Sequence, residues 1–131
     1  MAKVKVFLSF EFDRDNHLYQ RFRNESKQCS RHKIIDKSLN EPYHPDDKWL
    51  QKARAQIKQS DIVIVLIGQD THNAPGVIRE VTVAGQLYKP RFQIRPEGST
   101  GGTVAGAREV IPWDWDIMNA KINELLELAS E

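Results

Sequence analysis

The clearest hydrophobic pattern in the chain is an uninterrupted apolar run from Ile62 to Ile67. A strand that is apolar at every position is buried on both faces, as the central strand of a parallel sheet is. Lys3 to Phe10 and Pro90 to Ile94 are also rich in β-branched and aromatic residues, which favour strands. Shorter segments at Lys33–Ile35 and Glu109–Ile111 bring the number of predicted strands to about five.

Apolar residues at three- and four-residue intervals predict four helices between and after these strands, at 14–29, 47–59, 75–88 and 115–129. Asp46 or Asp47 can cap the second helix, and Pro75 suits the first position of the third. The residues expected to face inward are Leu18, Phe22 and Cys29; Trp49, Ala53 and Ile57; Val77, Val81, Ala84 and Tyr88; and Met118, Ile122, Leu125, Leu126 and Ala129.

Strands that alternate with helices predict an α/β fold, a doubly wound sheet of about five parallel strands with helices on both faces. The expected strand order is 2-1-3-4-5, as in flavodoxin-like folds, whose ligands bind outside the carboxyl ends of the strands. The 131 residues fit one domain, and we find neither an internal repeat nor a linker.

Composition and charge limit the classes of function that the protein can have. The formal net charge of +1 creates no overall field that favours nucleic acid or an anionic membrane. The single cysteine, Cys29, suits a reducing cytoplasm, and no cysteine or histidine spacing indicates a metal site. No apolar run approaches the length of a membrane span. We therefore expect a cytoplasmic protein that needs no metal and binds neither nucleic acid nor a membrane.

Among the residues near the carboxyl ends of the strands, Glu80 is the most informative. It lies in the first two turns of the third helix and borders the apolar stripe that contains Val77 and Ala84. A carboxylate in that position is partly desolvated and can take part in chemistry. The alternative is a solvated acid that the helix dipole favours near the amino terminus.

Other polar groups give weaker signals. Asp13 and Asp15 follow the first strand and could bind Mg²⁺, although capping of the next helix is the more common use of such acids. Gly98–Thr103 could cradle a phosphate, but a mobile surface loop is the more common role of such a Gly-rich segment, which spans 97–107 here. His72 either lines the cleft or simply completes its loop.

Several segments of the chain resemble the TIR-like domains of the Thoeris antiphage type. They are VFLSFEFDRD (Val6–Asp15), DKSLNEP (Asp36–Pro42), IKQSDIVIVLIGQDTHNAPGVIREVTVA (Ile57–Ala84), FQIRPEG (Phe92–Gly98) and VIPWDWDIMNAKI (Val110–Ile122). The resemblance covers nearly the whole chain, and it implies a flavodoxin-like TIR fold and an activity that consumes NAD⁺.

The resemblance also implies roles for individual residues. The glutamate of the V-x-x-E motif, which is Glu80 here, would be catalytic. The residues expected to bind substrate are Ser9, Phe10, Asp13, Ser38, Thr71 and His72. NAD⁺ would be the substrate, and its ADP-ribose-derived product would signal to a separate effector protein. A homo-oligomer is compatible with the family.

Two other functions remain open from the sequence. Domains of this fold also act as non-catalytic scaffolds for protein interaction. A receiver-like phosphoacceptor domain is a third candidate, but Asp70 lies beyond the glycine that ends the third strand, and Trp113 stands where a receiver has lysine.

Overall fold

The computed structural model describes residues 2–130, which form one five-stranded parallel sheet. Its strand order is β2-β1-β3-β4-β5, which confirms the predicted topology. The strands are β1 (Lys3–Ser9), β2 (Lys33–Asp36), β3 (Ile62–Leu66), β4 (Arg91–Arg95) and β5 (Val110–Pro112).

Four helices cover the two faces of the sheet. They are α1 (Asn16–Cys29), α2 (Asp47–Gln59), α3 (Pro75–Gln86) and α4 (Trp115–Ala129), and a 3-10 turn, Thr71–Asn73, precedes α3. Helices α1 and α4 share one apolar core with one face of the sheet, and α2 and α3 pack against the other face. No helix within residues 2–130 is long and apolar enough to cross a membrane.

Strand β3 is the centre of the sheet, as its apolar sequence predicts. All five of its residues are buried, and it pairs with β1 on one side and β4 on the other. Its side chains point alternately to the two helical layers, so each layer needs an apolar partner at every second position. That requirement explains why the run contains no polar residue.

Helices α2 and α3 also begin where the sequence predicts. The Asp46 carboxylate accepts a hydrogen bond from the Trp49 backbone N–H at 2.8 Å, which caps α2. Pro75 is the first residue of α3. The expected inward residues Trp49, Ala53 and Ile57 are all buried. The loop after β2 therefore ends at a fixed point beside the sheet.

Three residues that the sequence predicts to face inward are exposed instead. Helix α3 ends at Gln86, and Tyr88 adopts a positive φ of 55° with 90% of its surface exposed. The left-handed turn that stops the helix rotates Tyr88 away from the apolar stripe. Cys29 and Ala129 are exposed as the last residues of α1 and α4, where no following helical turn covers them.

The connection between β4 and β5 also differs from the expected mobile surface loop. No helix forms between Pro96 and Glu109; instead Val104 and Ala107 are buried against the α3 side of the sheet. The buried Gln93 amide holds this segment, because it donates to the Val104 and Arg108 carbonyls and accepts from the Val104 N–H. The segment thus takes the place of a fourth crossover helix.

Candidate active site

A small cavity of about 230 Å³ opens beside the carboxyl end of β1 and contains Glu80 on its wall. We call it the Glu80 cavity. Three parts of the chain surround it: the loop after β1, the loop after β2, and the amino-terminal half of α3. Its lining residues are Leu8, Phe10, Glu11, Phe12, Asp13, Leu39, Glu41, Pro42, Tyr43, Trp49, Ala74, Pro75, Gly76, Val77 and Glu80.

Glu80 is far more buried than its position beside the apolar stripe predicts, with only 7% of its surface exposed. The hydroxyl of the fully buried Ser9 donates a hydrogen bond of 2.7 Å to Glu80 Oε1. This bond joins the end of β1 to the second turn of α3, and it fixes the orientation of the carboxyl group. The structure therefore brings together Ser9 and Glu80, two of the residues singled out from the sequence.

Burial raises the pKa of Glu80 to about 8, and the hydrogen bond from Ser9 opposes that rise only in part. Apart from Ser9, no charged or polar side chain within residues 2–130 forms a hydrogen bond or ion pair with it. A carboxyl group with this pKa is mostly protonated at neutral pH. A ligand that carries positive charge would favour the ionised form.

Aromatic rings form the wall next to Ser9. Phe10 stacks on Phe12 at a centroid distance of 6.4 Å and on Tyr19 of α1 at 4.7 Å. Tyr19 is held in turn by a hydrogen bond from its hydroxyl to Asp36, at the end of β2. Phe10 lines the Glu80 cavity and its ring is held by Phe12 and Tyr19, while substrate binding by Phe10 stays a prediction.

The loop after β2 forms the outer wall of the Glu80 cavity through Leu39, Glu41, Pro42 and Tyr43. The Tyr43 ring packs edge-on against Trp49 of α2, with centroids 4.8 Å apart. A Cβ atom added to Gly76 would lie 3.0 Å from the Tyr43 Cβ, so the glycine lets this loop approach α3 closely. Sequence periodicity assigned Trp49 to the core but gave no sign that it lines a cavity.

Ser38 and Asp13 occupy different positions in this arrangement. The Ser38 hydroxyl accepts a hydrogen bond of 2.8 Å from the Leu8 N–H, so it anchors the loop to β1 and does not line the cavity. Asp13 lies on the cavity wall and is exposed. Substrate binding by either residue stays a prediction.

Thr71 and His72 lie outside the Glu80 cavity. The buried Thr71 hydroxyl accepts from the Gly68 N–H at 2.7 Å and donates to Asp15 Oδ2 at 3.1 Å. His72 packs against Gly102, on the far side of the 3-10 turn. The Thr71 hydroxyl stabilises the turn that follows β3, and the expected contact of both residues with substrate stays a prediction.

A second cleft, of about 470 Å³, lies at the carboxyl ends of β3 and β4. Its acidic residues are Glu11, Asp15, Asp70 and Glu97, and Arg14 and His17 also line it. Asp13 faces the Glu80 cavity and Asp15 faces this cleft, so the two acids do not form a pair. In the described part of the chain no group of three or more acidic, histidine or cysteine residues could hold a metal ion.

The acidic residues of the second cleft are not arranged as they are in the phosphoacceptor site of a receiver domain. Asp70 lies at the start of the 3-10 turn and pairs with Arg14 at 3.4 Å. Trp113 follows β5, where it is buried and donates its indole N–H to Glu25. Its buried indole leaves no cationic group at the position where a receiver domain has lysine.

Glu11 is a functional candidate that sequence reasoning missed. It contributes to the walls of both the Glu80 cavity and the second cleft. Its position shortly after Ser9 was visible in the sequence, but the cavities depend on three separate loops. No local pattern indicated that this carboxylate would lie between them.

Comparison with protein families matches residues 7–101 to the model described as Thoeris protein ThsB, TIR-like domain. The matched region is more than half of the chain and includes every residue that lines the Glu80 cavity. No curated protein matches the chain.

Proposed function

The chain belongs to the TIR-like domain family of the Thoeris protein ThsB, and we propose that it cleaves the nicotinamide–ribose bond of NAD⁺ with Glu80 as the catalytic carboxylate. Membership of a Thoeris family supports a role in antiphage defence. The observation that favours catalysis is the buried Glu80 carboxyl group, which Ser9 orients on the wall of a small cavity.

The proposed chemistry needs one negative charge at a defined place. Breaking the bond between nicotinamide and ribose leaves an oxocarbenium-like sugar, whose positive charge a nearby carboxylate stabilises. Nicotinamide leaves as a neutral ring, so the step needs no strong general acid. The cationic nicotinamide ring of NAD⁺ lowers the pKa of Glu80 when it binds, and it thereby ionises the group that the reaction requires.

The walls of the cavity suit the two parts of this substrate. Phe10 and Phe12 line the cavity with aromatic rings, against which a planar nicotinamide ring can pack. Asp13 and Glu41 supply carboxylate oxygens that can accept hydrogen bonds from ribose hydroxyls. The loop with Tyr43 would exclude water once the substrate is bound, which strengthens the interaction between Glu80 and the sugar.

The product in this proposal is a nucleotide signal derived from ADP-ribose, which activates a separate effector protein during infection. We expect the reaction in the cytoplasm, and self-association of the chain is compatible with it. A cue from the phage would then control the production of the signal. NAD⁺ is the substrate, and the proposed step requires no metal.

Release of nicotinamide from NAD⁺ tests the proposal. Wild type, Glu80→Gln and Glu124→Gln are purified from phage-challenged cells, and Glu124 is chosen because it is an exposed acid on α4. Glu80→Gln keeps the shape and one oxygen but removes the charge, so we expect its rate to fall by about 10²–10³-fold. Glu124→Gln should retain the wild-type rate.

Melting temperatures of all three proteins distinguish lost chemistry from lost folding. Wild-type activity in a folded Glu80→Gln variant would remove the catalytic assignment. A non-catalytic interaction scaffold would then be the better description of the domain.

A further inference from the structure

Glu11 is the carboxylate nearest in sequence to the proposed catalytic pair, and it lies where the two openings meet. Ser9 ends β1, and Glu11 follows two residues later on the wall of the Glu80 cavity. The same side chain also lines the second cleft. A molecule that enters through the second cleft would therefore meet Glu11 at the boundary with the cavity that holds Glu80.

One oxygen of the Glu11 carboxylate lacks a hydrogen bond within the fold. Its Oε1 is buried and has no hydrogen-bond partner among the described residues. The exposed Arg14 forms an ion pair with that oxygen, with its Nε 3.6 Å away, but donates no hydrogen bond to it. A buried acceptor without a hydrogen bond costs stability, so this oxygen at the cavity wall is suited to accept a hydrogen bond from water or from the hydroxyl group of a ligand.

The charges around Glu11 suit it to accept a proton. Burial raises its pKa, Arg14 opposes that rise, and the nearby carboxylates Asp15, Asp70 and Asp13 add to it. A raised pKa makes a carboxylate a stronger base, and a general base works best when its pKa approaches the operating pH. Among the other groups lining the second cleft, Glu97 and His17 are also ionisable.

We propose that Glu11 is the second carboxylate of the reaction: it binds the hydroxyl group that accepts the ADP-ribosyl unit and removes its proton. The inference rests on the proposed NAD⁺ cleavage. Two carboxylates on the walls of one cavity are the arrangement that glycoside-cleaving enzymes use, with one beside the sugar and one beside the incoming nucleophile. The acceptor belongs to the class of neutral hydroxyl compounds, of which water is the smallest.

The step balances without a further reactant. The bond between ribose C1′ and the nicotinamide nitrogen breaks, and its electron pair stays on nicotinamide, which leaves neutral. The acceptor oxygen forms a bond to C1′ while its proton moves to Glu11, which later releases the proton to solvent. Glu80 is buried and bound by Ser9, so it stabilises the sugar while Glu11 faces the incoming acceptor.

An experiment with azide distinguishes proton removal by Glu11 from a purely structural role of this residue. Azide is already an anion, so it can attack C1′ without losing a proton and yields ADP-ribosyl azide. Wild type, Glu11→Gln, Glu11→Ala and the control Glu124→Gln are incubated with NAD⁺ and sodium azide. Nicotinamide release is followed together with the mass spectrum of the ADP-ribosyl products, and melting temperatures report on folding.

We expect Glu11→Gln to lose about 10²-fold in kcat without azide, with KM for NAD⁺ changed less than about threefold. Azide should restore nicotinamide release, and the ratio of azide product to hydroxyl product should rise at least about tenfold over wild type. Glu11→Ala should respond in the same way, and its smaller side chain leaves room for the anion. Glu124→Gln should match wild type.

A wild-type product ratio in both folded Glu11 variants would overturn the inference while leaving Glu80 chemistry intact. Loss of activity that azide does not restore in either folded variant would overturn it as well. A wild-type protein that releases no nicotinamide would instead contradict the proposed NAD⁺ cleavage, and the role of Glu11 with it.

Discussion

The Glu80 cavity and the second cleft share one edge of the sheet, but Glu80 in the first and Glu97 in the second have pKa values shifted in opposite directions. In the Glu80 cavity burial raises the pKa of Glu80 to about 8. In the second cleft Glu97 is exposed and bonded to Arg21, which holds the pKa of Glu97 below its usual value. The comparison teaches that the environment of a glutamate, rather than its proximity to the sheet edge, decides whether it can serve catalysis.

The largest stability effect should come from Glu80→Gln at high pH. The folded-state pKa of Glu80 lies above the unfolded value of 4.5, so its contribution to stability is complete below pH 4.5 and is lost as pH rises towards 8. Glutamine does not titrate, so the variant should exceed wild type by a few kcal/mol in free energy of unfolding near pH 9.

Urea unfolding near pH 4 and pH 9 measures this difference. The control Glu97→Gln should show the opposite sign, because a depressed pKa stabilises the folded state at higher pH and Gln removes that gain. An equal difference between Glu80→Gln and wild type at both pH values would contradict the assigned burial.

A smaller effect should follow from Thr71→Val beside the second cleft. The change leaves the Gly68 N–H and the Asp15 carboxylate without their shared partner, so the free energy of unfolding should fall by about 1–3 kcal/mol. Thr82→Val, on the exposed side of α3, is the matched control and should change it by less than about 0.5 kcal/mol. Equal losses in the two variants would mean that the Thr71 bonds do not stabilise the turn.

Substitutions behind the aromatic wall of the Glu80 cavity should change the free energy of unfolding less. Tyr19→Phe keeps the ring that stacks on Phe10 but removes the hydrogen bond to Asp36. We expect a loss of about 0.5–1.5 kcal/mol in thermal or urea unfolding. Tyr19→Leu removes the stacked ring as well, so it should lower the free energy of unfolding further. If Tyr19→Leu lowers it no more than Tyr19→Phe does, stacking does not fix Phe10.

The smallest effect concerns motion. A non-hydrolysable NAD⁺ analogue should slow hydrogen exchange in the loop at 37–46, since this loop forms the outer wall of the Glu80 cavity. Residues 104–107, which are already held by Gln93, should change little. Equal exchange in the loop with and without the analogue would argue against closure of this wall.

The topology could be predicted from the sequence because the pattern of apolar residues within each strand and helix reflects which of its faces are buried. The apolar run of β3 predicts a central strand, and the Asp46 cap and Pro75 mark two helix starts. Tyr88 was misplaced because the left-handed residue that ends α3 leaves no mark in an apolar periodicity.

The site was only partly predictable. Position on α3 indicated Glu80, but the bond from Ser9 depends on how closely the end of β1 approaches α3. The resemblance implied that the Asp36–Asp47 loop covers the site, but Glu11 was singled out only when separate loops met, and Thr71 proved to bond the turn after β3. Such contacts join residues far apart in sequence, so no local pattern contains them.

The pH dependence of nicotinamide release by wild type tests the central claim most directly. If ionised Glu80 is required, kcat/KM for NAD⁺ should rise with pH and level off above the free-enzyme pKa of about 8. A profile that is flat from pH 6 to pH 9, or that falls over that interval, would contradict the proposal that this buried carboxylate performs the reaction.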